Sequence, residues 1–357
     1  MDNKKNNASQ KGVNTQSSSN KQGSSRSGKW LITLVCLAVM GWGVWQFTSM
    51  ASRYDGDPVW VKVPHHASEA DVADSIKSAL GDDYGSQVLR YLDTQPAKCR
   101  GAYQILPDQK AIDIARNIEN GRQTPVKLTF NNIRTLDQLD ERLTSRMDWE
   151  PGEFRKAFEA EAASLGVSPE ILLGRMLPDT YEVYWTSDPG TVIQKILKNY
   201  EKFWNDERVS KAAALGLTPD QVGIIASIAE EETAKTDERG KVGRLYINRL
   251  QKGMKLQADP TVKYAVGDFS IRRVGGAMLD TDSPYNTYRY MGLPPGPIRI
   301  PDSQTIKSVL DAPAHDYIYM CAKSDFSGYH DFTSDYATHQ RNAAAFRRAL
   351  DARGIKL

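Results

Sequence analysis

The sequence is short of the residues that build metal and disulfide sites. Its 357 residues include three cysteines, Cys36, Cys99 and Cys321, and only five histidines. No Cys-x-x-Cys or His-Glu-x-x-His pattern occurs, and His330 and His339 form no recognisable ligand pair, so we predict no metal and no other cofactor. Spacing alone leaves a pairing of Cys99 with Cys321 open, and two buried free thiols are the expectation.

A charge excess is also missing. The chain has 46 Lys and Arg against 44 Asp and Glu, a net charge of +2, which argues against a protein built around nucleic acid. It has no Gly-x-Ser-x-Gly nucleophile elbow and no glycine-rich phosphate loop that ends in Lys-Ser or Lys-Thr. Serine-triad hydrolysis, nucleotide chemistry and nucleic-acid binding are therefore poorly supported.

The charge is distributed unevenly at the N-terminus. Residues 1–29 are polar and have a charge of +5, and they hold too little apolar area to fold, so we predict a disordered cytoplasmic tail. Residues 30–52 contain no charge, and Trp30 and Trp45 lie near the two ends of this run. About 20 residues span a bilayer, so we predict one transmembrane helix over residues 30–52, with residues 54–357 outside the cytoplasmic membrane. A cleaved signal peptide is the less favoured alternative.

Two stretches that follow the apolar run resemble each other. Residues 61–81 and 103–121 each read as a strand, a proline and a helix that ends at glycine. Ser68 and Asp71 match a capping box at the start of the first helix. The pattern resembles LysM-type glycan-binding modules, and we predict a small LysM-like α/β module over residues 54–135. A spacer that sets the height of the next domain is the alternative.

The remaining residues, 136–357, read as a larger mixed α/β domain. Apolar side chains at helical spacing cover most of residues 136–220, with an interruption at Pro178-Asp-Thr-Tyr181. The last helix is predicted over residues 334–353. The fold class is therefore α+β: a single N-terminal transmembrane helix, a small LysM-like module, and a larger mixed domain with a C-terminal helix.

The densest candidate chemistry is a predicted helix that ends in Glu230, Glu231 and Glu232. On a helical wheel the apolar face is centred at about 70°, with Glu232 at about 80°, Glu231 at about 340° on its edge, and Glu230 at about 240° facing away. A carboxyl in the apolar face either pairs with a cation, such as Arg244 or Arg249, or has its pKa raised by burial. A raised pKa is what a general acid needs near neutral pH. Alternatively, Glu232 ends the helix in solvent.

Polar and aromatic residues that suit a sugar follow this helix. Tyrosine offers a stacking face, and asparagine and glutamine offer in-plane hydrogen bonds, although each could simply shape a loop. One of these residues, Asp259, is a possible second carboxylate of the kind that many glycosidases require. The candidate substrate-binding residues are Asn248, Gln257, Asp259, Tyr285, Asn286 and Tyr288, together with Glu230.

Five motifs stand in order in this part of the chain. They are Ala226-Ser-Ile-Ala-Glu-Glu-Glu-Thr233, Ile247-Asn-Arg-Leu250, Met254-Lys-Leu-Gln-Ala-Asp-Pro-Thr-Val262, Tyr285-Asn-Thr-Tyr288 and Gly292-Leu-Pro-Pro-Gly-Pro-Ile298. With Pro178-Asp-Thr-Tyr181 and the predicted membrane span, they closely resemble the YceG-like family, the MltG type of endolytic murein transglycosylase. The resemblance runs over about residues 58–350.

The resemblance implies a bacterial inner-membrane protein that cleaves the MurNAc-β-1,4-GlcNAc bond inside nascent glycan strands. Cleavage would leave 1,6-anhydroMurNAc ends and terminate strand elongation. The family's catalytic glutamate corresponds to Glu232, which the wheel also selects, and Glu230 would support the site. Peptidoglycan strands would be the substrate and peptidoglycan synthases possible partners. Ala258 departs from the threonine that the family usually has between Gln257 and Asp259.

Two other functions stay open at this point. One is a membrane-tethered glycan-binding scaffold of the cell-wall machinery in which Glu232 is silent. The other is a muramidase that uses Glu232 and Asp259 as two carboxylates. Reducing MurNAc ends would indicate the muramidase, and anhydro ends the transglycosylase.

Overall fold

A computed structural model describes residues 26–354 except residues 94 and 272, with the backbone alone at residues 26–29 and 46–51. The described chain is a mixed α+β fold in which helices predominate, as the sequence predicts. The predicted disorder of residues 1–29 falls mostly outside the described residues, and its last four residues belong to a helix.

The helices are α1 (Arg26–Ala51), α2 (Glu69–Leu80), α3 (Asp82–Leu89), α4 (Pro96–Cys99), α5 (Ala111–Glu119), α6 (Leu136–Thr144), α7 (Glu153–Ser164), α8 (Pro169–Arg175), α9 (Pro189–Phe203), α10 (Asp206–Ala214), α11 (Pro219–Glu232), α12 (Arg239–Gln251), α13 (Asp259–Val266), α14 (Ser303–Leu310) and α15 (Tyr336–Ala352). A 3-10 turn covers Gly276–Asp280. The strands are β1 (Val59–Val63), β2 (Gly101–Ile105), β3 (Val126–Thr129), β4 (Thr180–Val183), β5 (Tyr319–Ala322) and β6 (His330–Thr333). They form three antiparallel pairs, β1 with β2, β3 with β4, and β5 with β6.

The N-terminal helix α1 is apolar over Trp30–Trp45, where its side chains are exposed. Within the described residues, no single helix is both long and apolar enough to cross a membrane. By length and composition alone, α10 and α11 would meet the requirement as a pair bent by 75°. An apolar N-terminal helix is thus present, and the predicted transmembrane helix over residues 30–52 stays a prediction.

The first hydrophobic core joins the two predicted repeats. Strand β1 pairs with β2, and each strand is followed by a proline and a helix, α2 or α5. The predicted capping box is present, because the Asp71 amide donates to Ser68 Oγ (3.3 Å) and the Ser68 amide donates to Asp71 Oδ2 (2.9 Å). Cys99 is buried in this core as a free thiol, and Cys321 is also free but only partly buried. The likeness to LysM modules stays a prediction.

The second core packs the β3–β4 pair against α6 to α9. Phe130 and Ile133 are buried in the same cluster as Phe154 and Ile193. This core therefore begins shortly before residue 136, at which we place the start of the larger domain. The predicted interruption at Pro178-Asp-Thr-Tyr181 is the entry into β4.

The third core holds the helix that carries the three glutamates. Helix α11 starts at Pro219, after a capping box in which Thr218 and Gln221 bond each other's backbone amides. It packs with α12 and α14. Gly243 lets α12 approach α14 closely, since a Cβ there would lie 2.6 Å from a methyl of Val309. The packing fixes the C-terminal end of α11, where the candidate acid sits.

Candidate active site

The C-terminal end of α11 borders a cavity of about 410 Å³. Glu232 is the last residue of the helix and Thr233 is its C-cap. The walls of the cavity come from α12, the segment that leads into α13, the loop that carries Tyr288, the hairpin β5–β6 and the start of α15. The residues that line it are Glu232, Leu245, Tyr246, Arg249, Gln257, Asp259, Tyr288, Tyr319, Met320, Cys321, Ala322, His330, Tyr336 and His339.

Glu232 is held by a phenol. The hydroxyl of Tyr246, on α12, donates a hydrogen bond to Glu232 Oε1 at 2.6 Å. Burial raises the pKa of Glu232 to about 7, the hydrogen bond from Tyr246 acts against this, and the charge of Asp259 adds to it. A carboxyl with this pKa keeps its proton for part of the time at neutral pH, which a general acid requires.

Neither of the two predicted cation partners binds Glu232. In the described part of the chain no ion pair joins Glu232 to Arg244 or Arg249. The Arg249 guanidinium instead donates to the Leu256 carbonyl (2.9 Å) and to Gln257 Oε1 (2.7 Å). Burial lowers the pKa of Arg249. The charge of Arg249 is also close enough to Glu232 to favour the ionised carboxylate, which lowers the pKa of Glu232.

The helical wheel correctly places Glu232 on the apolar face of α11. It wrongly places Glu230 on the face that points away from the core. Glu230 is buried, lies 3.2 Å from Arg299 Nη2, and accepts a hydrogen bond from the Asp302 amide at 2.9 Å. Glu231 binds the guanidinium groups of Arg134 and Arg299 at 2.9 Å each. The segment before α14 covers this side of α11, so the helix is buried on faces that its own apolar pattern does not predict. Glu230 supports the end of the helix and does not line the cavity.

Asp259 and Gln257 both line the cavity, and their predicted role in substrate binding stays a prediction. The Tyr288 hydroxyl donates to Asp259 Oδ1 at 2.6 Å, so each of the two cavity carboxyls has a tyrosine partner. Gln257 has a φ of +50°, in the left-handed region that non-glycine residues rarely adopt. Two hydrogen bonds fix this conformation. Arg249 donates to the side chain of Gln257, and the backbone amide of Gln257 donates to the Thr287 carbonyl at 3.2 Å. Such strain is common where a side chain is aimed at a ligand.

Three predicted sugar contacts lie outside the cavity. The amide of Asn248 donates to the carbonyls of His315 (2.7 Å) and Tyr317 (3.0 Å). Asn286 is fully buried, donates to two loop carbonyls, and accepts from the Tyr288 amide at 3.1 Å. The Tyr285 ring packs against Tyr264 at 4.6 Å between centroids. In this structure these three side chains shape loops, and their assignment as direct substrate contacts stays a prediction.

The wall of the cavity that the hairpin β5–β6 and α15 form is not predicted from the sequence. Tyr319 comes from β5, and Tyr336 and His339 come from the first turn of α15. Tyr246 was missed too, although its place between Arg244 and Arg249 on a helix that follows the glutamates was a usable signal. Tyr319, Tyr336 and His339 lie far from Glu232 in sequence, and only the tertiary fold brings them to its cavity. Within the described residues no group of three or more His, Cys, Asp or Glu could hold a metal ion.

Comparisons with known proteins show the family to which the chain belongs. The model of the YceG-like family matches residues 61–345. A Bacillus subtilis protein named endolytic murein transglycosylase is 35% identical over 173 residues, which cover 48% of this chain and 46% of that protein. A Streptococcus pneumoniae protein of the same name is 25% identical over 329 residues, covering 81% of this chain and 57% of that protein.

The chain spans about half the length of these two relatives. The crystal structure of a YceG-like protein from Listeria monocytogenes superposes with a TM-score of 0.53 at 24% identity, covering 80% of this chain and 98% of that one. This superposition supports the fold. Because the family model covers most of the sequence, including all five motifs and the cavity up to His339, the chain belongs to the YceG-like family.

Proposed function

We propose that this protein is an endolytic murein transglycosylase that cleaves MurNAc-β-1,4-GlcNAc bonds within glycan strands. The observation that carries the proposal is Glu232, which faces the cavity with a tyrosine partner and a pKa of about 7. Membership of the YceG-like family and the shared name of the two relatives support it.

The reaction needs one carboxyl that acts twice. Because Tyr246 occupies Oε1 of Glu232, the proton is carried on Oε2. Glu232 gives this proton to the glycosidic oxygen as the bond to MurNAc C1 breaks and positive charge builds at C1. The ionised Glu232 then takes the proton of the C6 hydroxyl while that oxygen closes on C1. The product is a 1,6-anhydroMurNAc end, and no water is consumed.

Tyr246 supports the second half of this cycle. A hydrogen bond to an ionised carboxylate is stronger than one to a neutral acid, so the phenol stabilises Glu232 once its proton has left. Burial of the pair raises the pKa of Tyr246 well above its ordinary value, so this side chain stays a donor throughout. Asp259 and Tyr288 form a second, similar pair in the same cavity.

The location of the protein belongs to the same proposal. An anchor in the cytoplasmic membrane through α1 would keep the site near newly made strands, with the N-terminus in the cytoplasm and the rest outside. Binding of glycan by the first module, contact with peptidoglycan synthases and termination of strand elongation are further parts of it. The 23-residue uncharged run supports the anchor, and the resemblance of the sequence to the family supports the other parts.

Mass spectrometry of glycan products tests the proposed reaction. The full chain is incubated with purified glycan strands beside Glu232→Gln and a control, Glu159→Gln, which removes an exposed carboxyl of α7. Wild type and the control should release anhydro-ended fragments, and Glu232→Gln should lose activity by at least about 10³-fold, since it removes both acid and base. Equal activity in Glu232→Gln would contradict the assignment.

A two-carboxylate muramidase is the second candidate, because Asp259 shares the cavity with Glu232. It predicts reducing MurNAc ends in the same spectra and an inactive Asp259→Asn variant. Binding of strands without any new ends, from a folded protein, would favour the scaffold.

A further inference from the structure

The cavity has a wall that the proposed chemistry does not use. We call Tyr319, Tyr336 and His339 the aromatic wall; Tyr319 lies on β5, and the other two lie one turn apart at the start of α15. All three side chains line the cavity that holds Glu232. None takes part in the proton transfers proposed for Glu232.

The three rings form one continuous cluster. Tyr319 and His339 are stacked with centroids 5.2 Å apart and an angle of 20° between their planes. Tyr336 lies 5.5 Å from the Tyr319 ring and 6.2 Å from that of His339. The cluster therefore offers a broad aromatic surface held by a strand and a helix.

Tyr336 is unusually open for an aromatic residue packed against two others. It is 56% exposed, although it sits at the mouth of a cavity and contacts two neighbouring rings. Large aromatic side chains gain free energy when a partner covers them, so an exposed ring at a cavity is a typical ligand contact.

His339 brings a second, independent observation. Its Nδ1 is buried and has no hydrogen-bond partner among the described residues. A buried polar atom without a partner is costly, so the His339 ring gains if it turns and brings Nδ1 to a ligand in the cavity. Burial, with a smaller effect of Arg249, lowers the pKa of His339, so the ring is neutral near pH 7 and offers one donor and one acceptor.

We propose that the aromatic wall binds a pyranose ring of the glycan strand next to the cleaved bond, with His339 hydrogen-bonded to a sugar hydroxyl or acetamido group. A pyranose has an apolar C–H face that stacks on aromatic rings and an edge of neutral donors and acceptors, and the wall provides both surfaces. This subsite deepens the proposed function and rests on it. It makes Tyr336 a substrate-binding residue that affects KM.

Steady-state kinetics and direct binding on the full chain test the subsite. Tyr336→Ala is compared with Tyr336→Phe, which keeps the ring, and with Tyr184→Ala, which removes an equally exposed tyrosine (52%) outside the cavity. We expect Tyr336→Ala to raise KM for glycan strands by about tenfold with kcat nearly unchanged. Tyr336→Phe and Tyr184→Ala should stay within about threefold of wild type.

Binding of the same strands is then measured in the Glu232→Gln background, where no cleavage interferes. Tyr336→Ala should weaken binding by the same factor, and His339→Phe, which keeps the stacking but loses the hydrogen bond, should weaken it less. If Tyr336→Ala binds and turns over strands as Tyr184→Ala does, the subsite is overturned while the proposed function stands. If the wild type cleaves nothing but Tyr336→Ala still loses binding, the proposed chemistry fails and the sugar subsite is kept.

Discussion

The C-terminal end of α11 has two sides, and the glutamate side chains on them have opposite kinds of surroundings. On one side, Glu230 and Glu231 lie against arginine guanidinium groups. On the other, one residue further on, Glu232 lies against a phenol and a cavity. We call these the arginine side and the cavity side.

The comparison shows that the partner decides the chemistry of a buried carboxyl. On the arginine side, the ion pairs tie Glu230 and Glu231 to Arg134 and Arg299, so these two side chains serve structure. A neutral phenol offsets only part of the cost of burying charge, so the pKa of Glu232 remains raised, at about 7. One turn of helix thus contains two anchoring carboxylates and one acid.

The largest effect is expected on the arginine side. Arg299 binds both Glu230 and Glu231 and is largely buried, so Arg299→Ala leaves a buried carboxylate short of a partner. We expect a loss of about 3 kcal/mol in the free energy of unfolding, measured by urea titration. Arg155→Ala, which removes a more exposed cluster of ion pairs between α6 and α7, should cost about 1 kcal/mol or less. Equal losses in the two variants would mean that the arginine side is not a structural anchor.

The next effect is a change of pH dependence on the cavity side. A general acid must be protonated, so kcat/KM should fall as the pH rises through the pKa of Glu232, at about 7. Tyr246→Phe removes a hydrogen bond that favours the ionised carboxylate, so the pKa of Glu232 should rise. The alkaline limb of the pH–rate profile should move up by about one pH unit. A limb that does not move, in a folded variant, would show that Tyr246 does not control the acid.

A smaller change of opposite sign is expected from Asp259→Asn. The charge of Asp259 raises the pKa of Glu232, and burial is the larger cause, so the neutral variant should lower this pKa modestly. The alkaline limb should move down by less than about one pH unit, with anhydro ends still formed. Complete loss of cleavage in Asp259→Asn would instead favour the two-carboxylate muramidase. Thermal unfolding of the variant provides the control for folding.

The sequence predicts the acid for a local reason. Glu232 is fixed by the phase of its own helix, and Ile224, Ile225 and Ile228 define the buried face on which it falls. The same logic fails for Glu230, because a wheel contains no information on Arg299 or on the segment before α14 that cover the other face.

The rest of the site depends on long-range packing. Tyr319 and Tyr336 reach the cavity only because the hairpin β5–β6 and α15 return to the cavity at the end of α11, and no local pattern in the sequence signals this return. Asn248 and Asn286 look like sugar ligands in sequence, but short amides are equally good at bonding loop carbonyls, which is what both do. Helix α15 itself is predicted well, over residues 334–353 against Tyr336–Ala352 in the structure.

The most direct test of the account is a titration of Glu232 itself. The protein is labelled with ¹³C at the glutamate side-chain carboxyl carbons, and its NMR spectra are recorded from pH 4 to pH 9, with Glu232→Gln to assign the signal. The account predicts that the signal lost in Glu232→Gln titrates with a pKa of about 7. A pKa of about 4, the ordinary value for a solvated glutamate, would contradict the claim that the cavity side of α11 stores a proton.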